Sequence, residues 1–444
     1  MDSTFIAQVY GKSLNYTDIP SPLFKEYNVK KGLRNEDGTG VRVGLTRVSD
    51  VFGYDFKDGQ KVNAPGKLYY RGYSLDDLVA GKSDTRYGFE EVCFLLLFGY
   101  LPTKKGLSNF CDVIKDSYAL PEEFLEKNLM RTTSPNLMNT LQTMVLMLCN
   151  YDDDPDNTDV FQTVLKGLNI LAKLPSITCY AYQNKIHHYE RESLFIHYAQ
   201  KDYSIAENFL HMIRKDCQFT PEEANLLDIL LMIHADHGGG NNSTFTNVVV
   251  SSTGTDIYSS MSASIGSLKG PRHGGANIRC SEMLHAVADE IGFNASDKKI
   301  REIAQRLLAK DFYDHSGLIY GLGHAVYTES DPRANILRNC CETLAKQKHR
   351  EAEYEFLTRF ESIAKETLYE RNGRSVSNNV DFYSGFAYDM LQIPKDMYTP
   401  MFVCSRVIGW LAHNVENKLY DGKIMRPATK YIGETMEYKK MEDR

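Results

Sequence analysis

From Ser74 almost to the C-terminus, the apolar residues of this chain recur at the spacing of an α-helix rather than the alternation of a strand. Such a chain can bury its apolar stripes only by stacking helix on helix, so the pattern predicts an all-α fold. Glu90 to Phe98, Asn136 to Cys149 and Val160 to Ala181 are apolar on most faces and are expected to be buried on several sides. Thr220-Pro221-Glu222-Glu223 is a capping box with proline at the first helical position, and Asp331-Pro332 and Thr399-Pro400 open further helices. The helix from Pro221 should run to the glycines at Gly238. His234 and His237 would then share its last turn, where the negative end of the helix dipole raises imidazole basicity. The β structure expected is one or two short N-terminal hairpins, signalled by alternating Val41, Val43 and Leu45 and by Lys57-Asp58-Gly59 between Tyr54-Asp55-Phe56 and Val62.

At 444 residues the chain can form two or three domains. Its 51 basic and 58 acidic residues lack the basic excess of a nucleic-acid binder, so no nucleic acid is expected as partner. Apolar runs such as Cys93 to Leu101 are too short to span a bilayer, and no membrane role follows. The nine cysteines are scattered without a Cys-x-x-Cys pair, which reads as reduced thiols rather than a disulfide framework. The N-terminus has no basic segment followed by an apolar one and carries acidic residues, so the expected location is cytoplasmic.

The residues with chemistry to offer cluster first between Met232 and Asn277. His234 and His237 precede Gly238 to Gly240, and His273 sits in Gly270-Pro271-Arg272-His273-Gly274-Gly275, where backbone can approach a small anionic ligand closely. The His234/His237 spacing is not that of the helical zinc pair and no further ligands complete a set, so no metal is expected. Gly317, Gly321 and Gly323 do not form a dinucleotide fingerprint, and no Walker sequence occurs. The stronger signal is joint. His273, His324 and Asp381 each lie among glycines or small residues, while Arg333, Arg406 and Arg426 are available as two-pronged carboxylate clamps. Any one of these alone is an ordinary cap or surface charge.

Eight segments in order across residues 69 to 433 resemble the citrate synthase family: YYRGYSLDDL from Tyr69, FEEVCFLLLFGYLPT from Phe89, HADHGGGNNSTFT from His234, GSLKGPRHGGAN from Gly266, GHAVYTESDPRA from Gly323, NVDFYSG from Asn379, SRVIGWLAH from Ser405 and KIMRPATKYIG from Lys423. The chain departs from common family residues at Gly238, Lys269, Ala325, Thr328 and Asn378.

The resemblance implies a mainly α-helical fold with short N-terminal hairpins, a large domain of residues 1–278 and 386–444 (1–60 forming an N-terminal extension), and a small inserted domain of 279–385 with the site in the cleft between them. It implies condensation of acetyl-CoA with oxaloacetate and water to give citrate and CoA through an enol(ate) and citryl-CoA. Asp381, His273 and His324 would be catalytic, and His237, Arg333, Arg406 and Arg426 would bind oxaloacetate. Leu318, Ile319, Gly321, Leu322, Gly323 and Asn379 would contact CoA, with Lys269, Arg272 and Arg279 as phosphate candidates by charge. No cofactor is implied, acetyl-CoA being a substrate. A homodimer is implied, in which Arg426 reaches the other subunit's site. The alternatives are a 2-methylcitrate synthase using propionyl-CoA and a non-catalytic, ligand-sensing relative.

Overall fold

Seventeen α-helices and three strands make up the regular structure of the residues that the computed structural model describes, 3–58, 60–82, 86–420 and 422–443. The all-α expectation holds, and the helices pack into two units.

The first unit joins the two ends of the chain, residues 1–45 and 425–444. It holds α1 (Ser3–Thr17) and α2 (Pro22–Glu26), and Lys430 lies over the Tyr27 ring at 5.9 Å. The alternating Val41, Val43 and Leu45 form no strand, contrary to expectation; the nearest pairing is an isolated Arg34–Gly40 bridge. Leu45 is 90% exposed and Val43 47%, so the alternation has no apolar layer to bury against.

The second unit, Thr46–Ile424, opens with the hairpin β1 (Ser49–Lys57) and β2 (Gln60–Tyr70), antiparallel from Ser49 opposite Tyr70 to Lys57 opposite Gln60, with β3 (Tyr73–Ser74) on the end of β2. The turn was legible in Lys57-Asp58, while its Gly59 lies outside the described residues. Gly53 and Gly66 let the hairpin meet the backbone of residues 326–330, because a Cβ there would stand 2.3 Å from the Val326 carbonyl oxygen and 2.1 Å from that of Ser330.

The helices that follow are α3 (Leu75–Gly81), α4 (Gly88–Phe98), α5 (Lys104–Asp116), α6 (Leu137–Met147), α7 (Val160–Lys185), α8 (Ile205–Ile213), α9 (Pro221–His234), α10 (Asn242–Ser251) and α11 (Ile257–Leu268). Then come α12 (Ala276–Ile291), α13 (Asp297–Leu308), α14 (Pro332–Gln347), α15 (Glu351–Asn372), α16 (Asp381–Met390) and α17 (Tyr398–Leu419). At the centre α17 packs on α4, α7, α9, α10 and α11, and its Arg406 and Trp410 are wholly buried. The bare N-terminus of α4 is capped from α9, where the Asp228 carboxylate accepts the Gly88 and Phe89 N–H groups at 3.0 and 2.9 Å and pairs with Lys82 at 2.5 Å. From α12 to α16 the helices pack chiefly on one another, while α14 also rests on α3 and α9. The nine cysteines are free, and most are buried in this core. Among the described residues no helix is long and apolar enough to cross a membrane.

One helix end differs from expectation in a way that shapes the site. The capping box at Thr220 forms as read, but α9 stops at His234, and His237 lies in the loop beyond it. The buried Tyr70 hydroxyl intercepts the helix there: it lies 3.1 Å from the carbonyl oxygens of Met232 and Asp236 and accepts the Asp236 N–H at 3.2 Å.

Candidate active site

Beyond α9 the chain turns on Asp236. Its buried carboxylate accepts the Gly238 N–H at 2.9 Å and the Ser49 hydroxyl, and faces the His413 Nε2 at 3.3 Å. Burial alone would raise this carboxyl; His413, Arg406 and Ser49 together drive it below the usual range, so it stays ionised. The anchored turn presents His237, whose ring centre lies 5.3 Å from that of His324. The expected rise in basicity is absent. Burial first, then the charges of Arg333 and Arg406 and the neighbouring His324 and His273, push His237 well below an ordinary imidazole, and burial holds His234 down to about 3.

His324 leads the loop into α14. Its Nδ1 accepts the backbone N–H groups of Val326 and Tyr327, each at 3.0 Å. A nitrogen accepting two hydrogen bonds carries no proton, so a neutral ring must carry it on Nε2. Burial, reinforced by Arg333, lowers this imidazole to about 4 and keeps it neutral.

His273 lies between α11 and α12, with Nε2 3.0 Å from Asn241 Oδ1 and 3.1 Å from Ser243 Oγ. Ser243 Oγ in turn accepts the Trp410 indole N–H at 3.1 Å, tying the imidazole to α17. Burial, then Arg406, lowers His273 to about 4.

Asp381 is the first residue of α16, and Asn379 stands two residues ahead, its Oδ1 accepting the Asp381 N–H at 3.0 Å. Asn277 Nδ2 approaches the Asp381 carboxylate at 3.5 Å. Burial pushes this carboxyl up to about 6, with Asp331 adding to the rise and Arg333 and Asn277 opposing it. A carboxylate poised near neutrality is a competent general base.

The arginines divide. Arg406 donates through Nε to the His234 carbonyl at 2.6 Å, while its two terminal nitrogens are buried with no hydrogen-bond partner among the described residues. Burial lowers it to about 10, Asp236 partly offsetting this, and the guanidinium remains charged with donors to spare. Arg333 is already forked onto Asp331, at 3.0 Å from Nε and 2.7 Å from Nη2. Arg426 belongs to the terminal unit and is exposed.

The glycine-spaced loop at 316–323 is strapped to the segment before Asp381. The Gly323 N–H donates to Ser377 O at 2.6 Å, the Asn379 N–H to Gly321 O at 2.9 Å, and Asn379 Nδ2 to Gly323 O at 3.1 Å. Leu318 is exposed, Ile319 is buried, and Leu322 bridges to Asn378. Of the residues singled out by charge, Lys269 donates to Asn139 Oδ1 at 2.5 Å, Arg279 donates to the Tyr320 hydroxyl at 3.2 Å, and Arg272 is exposed.

Sequence reasoning missed Tyr327, Asn277 and Asp331 as members of this cluster. Tyr327 and Asp331 lie in the quoted GHAVYTESDPRA segment, but only the fold shows that the tyrosine ring stacks on His324 at 4.5 Å and that its hydroxyl lies 3.2 Å from His237 Nε2. Among the described residues no three His, Cys, Asp or Glu side chains converge as a metal site. The arrangement can take a proton with a carboxylate, hold oxygens with two neutral imidazoles, and bind an anion with a buried, unsaturated guanidinium.

A family model described as citrate synthase, C-terminal domain, matches residues 36–428. A citrate synthase of Haloferax volcanii is 34% identical, over 91% of this chain and 96% of its own length, and a 2-methylcitrate synthase of Shewanella oneidensis is 32% identical, over 82% and 88%. The crystal structure of citrate synthase from Pyrobaculum aerophilum superposes with a TM-score of 0.73 at 30% identity, covering 91% of this chain and 94% of that one. A ternary complex of the Thermoplasma acidophilum citrate synthase with carboxymethyl coenzyme A and oxaloacetate gives a TM-score of 0.75 at 25% identity, covering 94% of this chain and 99% of that one. On the family match along most of its length and on relatives of this similarity, the chain belongs to the citrate synthase family of acyltransferases.

Proposed function

We propose that this chain condenses acetyl-CoA with oxaloacetate and hydrolyses the citryl thioester to citrate and CoA. The observation that carries the reading is a buried Arg406 with two unpartnered donors beside two neutral imidazoles and a carboxylate near neutrality, the equipment for a small dicarboxylate and a weak carbon acid.

In this reading Asp381 removes a proton from the thioester methyl, and His273 donates to the thioester oxygen as the enolate forms. The enolate carbon attacks the oxaloacetate carbonyl, whose oxygen is polarised and then protonated by the Nε2–H of His324 as the carbon–carbon bond forms. A positioned acid or base contributes about 10²–10⁴-fold, so three such groups supply a large part of the acceleration. Arg406, Arg333 and His237 hold the oxaloacetate carboxylates, with Arg426 reaching in from the partner subunit of a homodimer. The loop at Leu318 to Gly323 and Asn379 receive CoA. The segment 279–385 acts as the inserted small domain, and its closure on the large domain shuts out water before the thioester is cleaved.

The 32% identity to a 2-methylcitrate synthase supports propionyl-CoA as the second reading. One methylene is worth about 1–3 kcal/mol of discrimination, so both acyl groups should be offered. Mass spectrometry of products formed from oxaloacetate with each acyl-CoA tests the proposal: citrate from acetyl-CoA supports it, and exclusive 2-methylcitrate moves the chain to the second reading.

A further inference from the structure

We infer that Tyr327 is a positioning residue for the oxaloacetate end of the site, its hydroxyl selecting the tautomer of His237 and its ring holding the His324 imidazole in plane. The inference deepens the citrate synthase reading and rests on it.

Tyr327 is 2% exposed and touches both histidines at once. Its ring lies over His324 with centres 4.5 Å apart and planes 29° apart, and it meets the His237 ring edge-on at 5.5 Å. Its hydroxyl reaches His237 Nε2 at 3.2 Å, and the Arg333 guanidinium lies 5.9 Å from its ring centre. Burial drives the phenol far above its ordinary range, so the hydroxyl keeps its proton. Donated to Nε2, that proton makes Nε2 the acceptor and places the imidazole proton on Nδ1, where it can serve a carbonyl or carboxylate oxygen.

The placement is built into the fold. The residues that follow Tyr327 are clamped to the hairpin: the Thr328 hydroxyl donates to Gly53 O at 2.5 Å and accepts the Ala64 N–H at 3.2 Å, and the Gly66 N–H donates to Ser330 O at 3.1 Å. The Tyr327 N–H itself donates to His324 Nδ1. Tyr327 thus acts on both imidazoles, setting the His324 tautomer together with the Val326 N–H through its backbone and the His237 tautomer through its side chain. Thr328, a departure from common family residues, forms the clamp.

Tyr327→Phe keeps the stacked ring and removes the hydroxyl, whereas Tyr327→Leu removes both. Steady-state kinetics, calorimetric binding of oxaloacetate and melting curves on the full chain test the assignment. For the Phe variant the expected result is a rise of about tenfold in the oxaloacetate KM and Kd, the effect of one buried hydrogen bond, with kcat falling by less than KM rises. The Leu variant should lose at least about tenfold more in kcat, because His324 is freed as well. A Phe variant with wild-type KM and Kd overturns the inference, as does a fall of kcat and melting temperature in both variants at constant KM. If the wild type releases no CoA with any acyl-CoA, the proposed reaction fails, while oxaloacetate binding by the wild type and Tyr327→Phe still decides the role of Tyr327. A wild type that binds no oxaloacetate overturns both.

Discussion

The Arg406 guanidinium is held to the His234 carbonyl by a single hydrogen bond of 2.6 Å from Nε, and the rest of its donors face inward unpaired. A buried cation whose terminal donors are unpaired, only partly offset by Asp236, costs stability in the free protein that an anionic ligand recovers. Arg406→Met should therefore melt no lower than the wild type without ligand, yet bind oxaloacetate about 10²–10³-fold more weakly. Melting curves with and without oxaloacetate check this; an unchanged ligand-induced shift in the variant removes Arg406 from the site.

Asp381 sets the acid limb of the pH profile. With its carboxyl raised to about 6, chiefly by burial, the base is progressively protonated as pH falls through that value. The kcat/KM for acetyl-CoA should fall about tenfold per pH unit below 6 and level off above it. The histidines lie at about 4 and add no limb between 5 and 8. A limb near the ordinary carboxylate value would mean that Asp381 is not the group observed.

Glu223 links the start of α9 to the turn after α14. Burial would raise its carboxyl, but Arg214 at 2.7 and 3.0 Å and the Lys348 ammonium win and hold it at about 2. Because the folded value is depressed, the stabilisation is complete above the unfolded carboxylate range and is lost as pH falls through about 4 towards 2. Glu223→Gln should cost about 2 kcal/mol at pH 7, and the deficit should shrink on acidification over that window. Thermal melts of both proteins across pH measure it; a deficit independent of pH would contradict the ion-pair account.

Arg426 and Asp381 should complement each other across a dimer. Arg426→Ala and Asp381→Asn are each expected to be nearly inactive as pure dimers. After subunit exchange, mixed dimers regain one intact site, and roughly a quarter of wild-type activity should return. No recovery would place Arg426 in its own subunit's site, and a fully active Arg426→Ala dimer would place it in none.

How much of this was legible in the sequence follows the range of the interactions. The capping box at Thr220 and the start at Asp331-Pro332 are local devices, and both form as read. The end of α9 was misread because the group that stops it, the Tyr70 hydroxyl, comes from a strand far earlier in the chain. The histidine basicities had the wrong sign for the same reason: a helix dipole is visible in one segment, whereas the burial that outweighs it needs the whole fold. Asp331 is a different miss. Its place before Pro332 reads as a helix start, and the same carboxylate also forks onto the Arg333 side chain, engaging an arginine expected to face substrate.

The most direct test of the account is CoA release from acetyl-CoA, followed with a thiol reagent, with and without oxaloacetate, for the wild type and Asp381→Asn. The account predicts release that depends on oxaloacetate and falls at least about 10³-fold in the variant. Oxaloacetate-independent release, or an Asp381→Asn protein as active as the wild type, would contradict it.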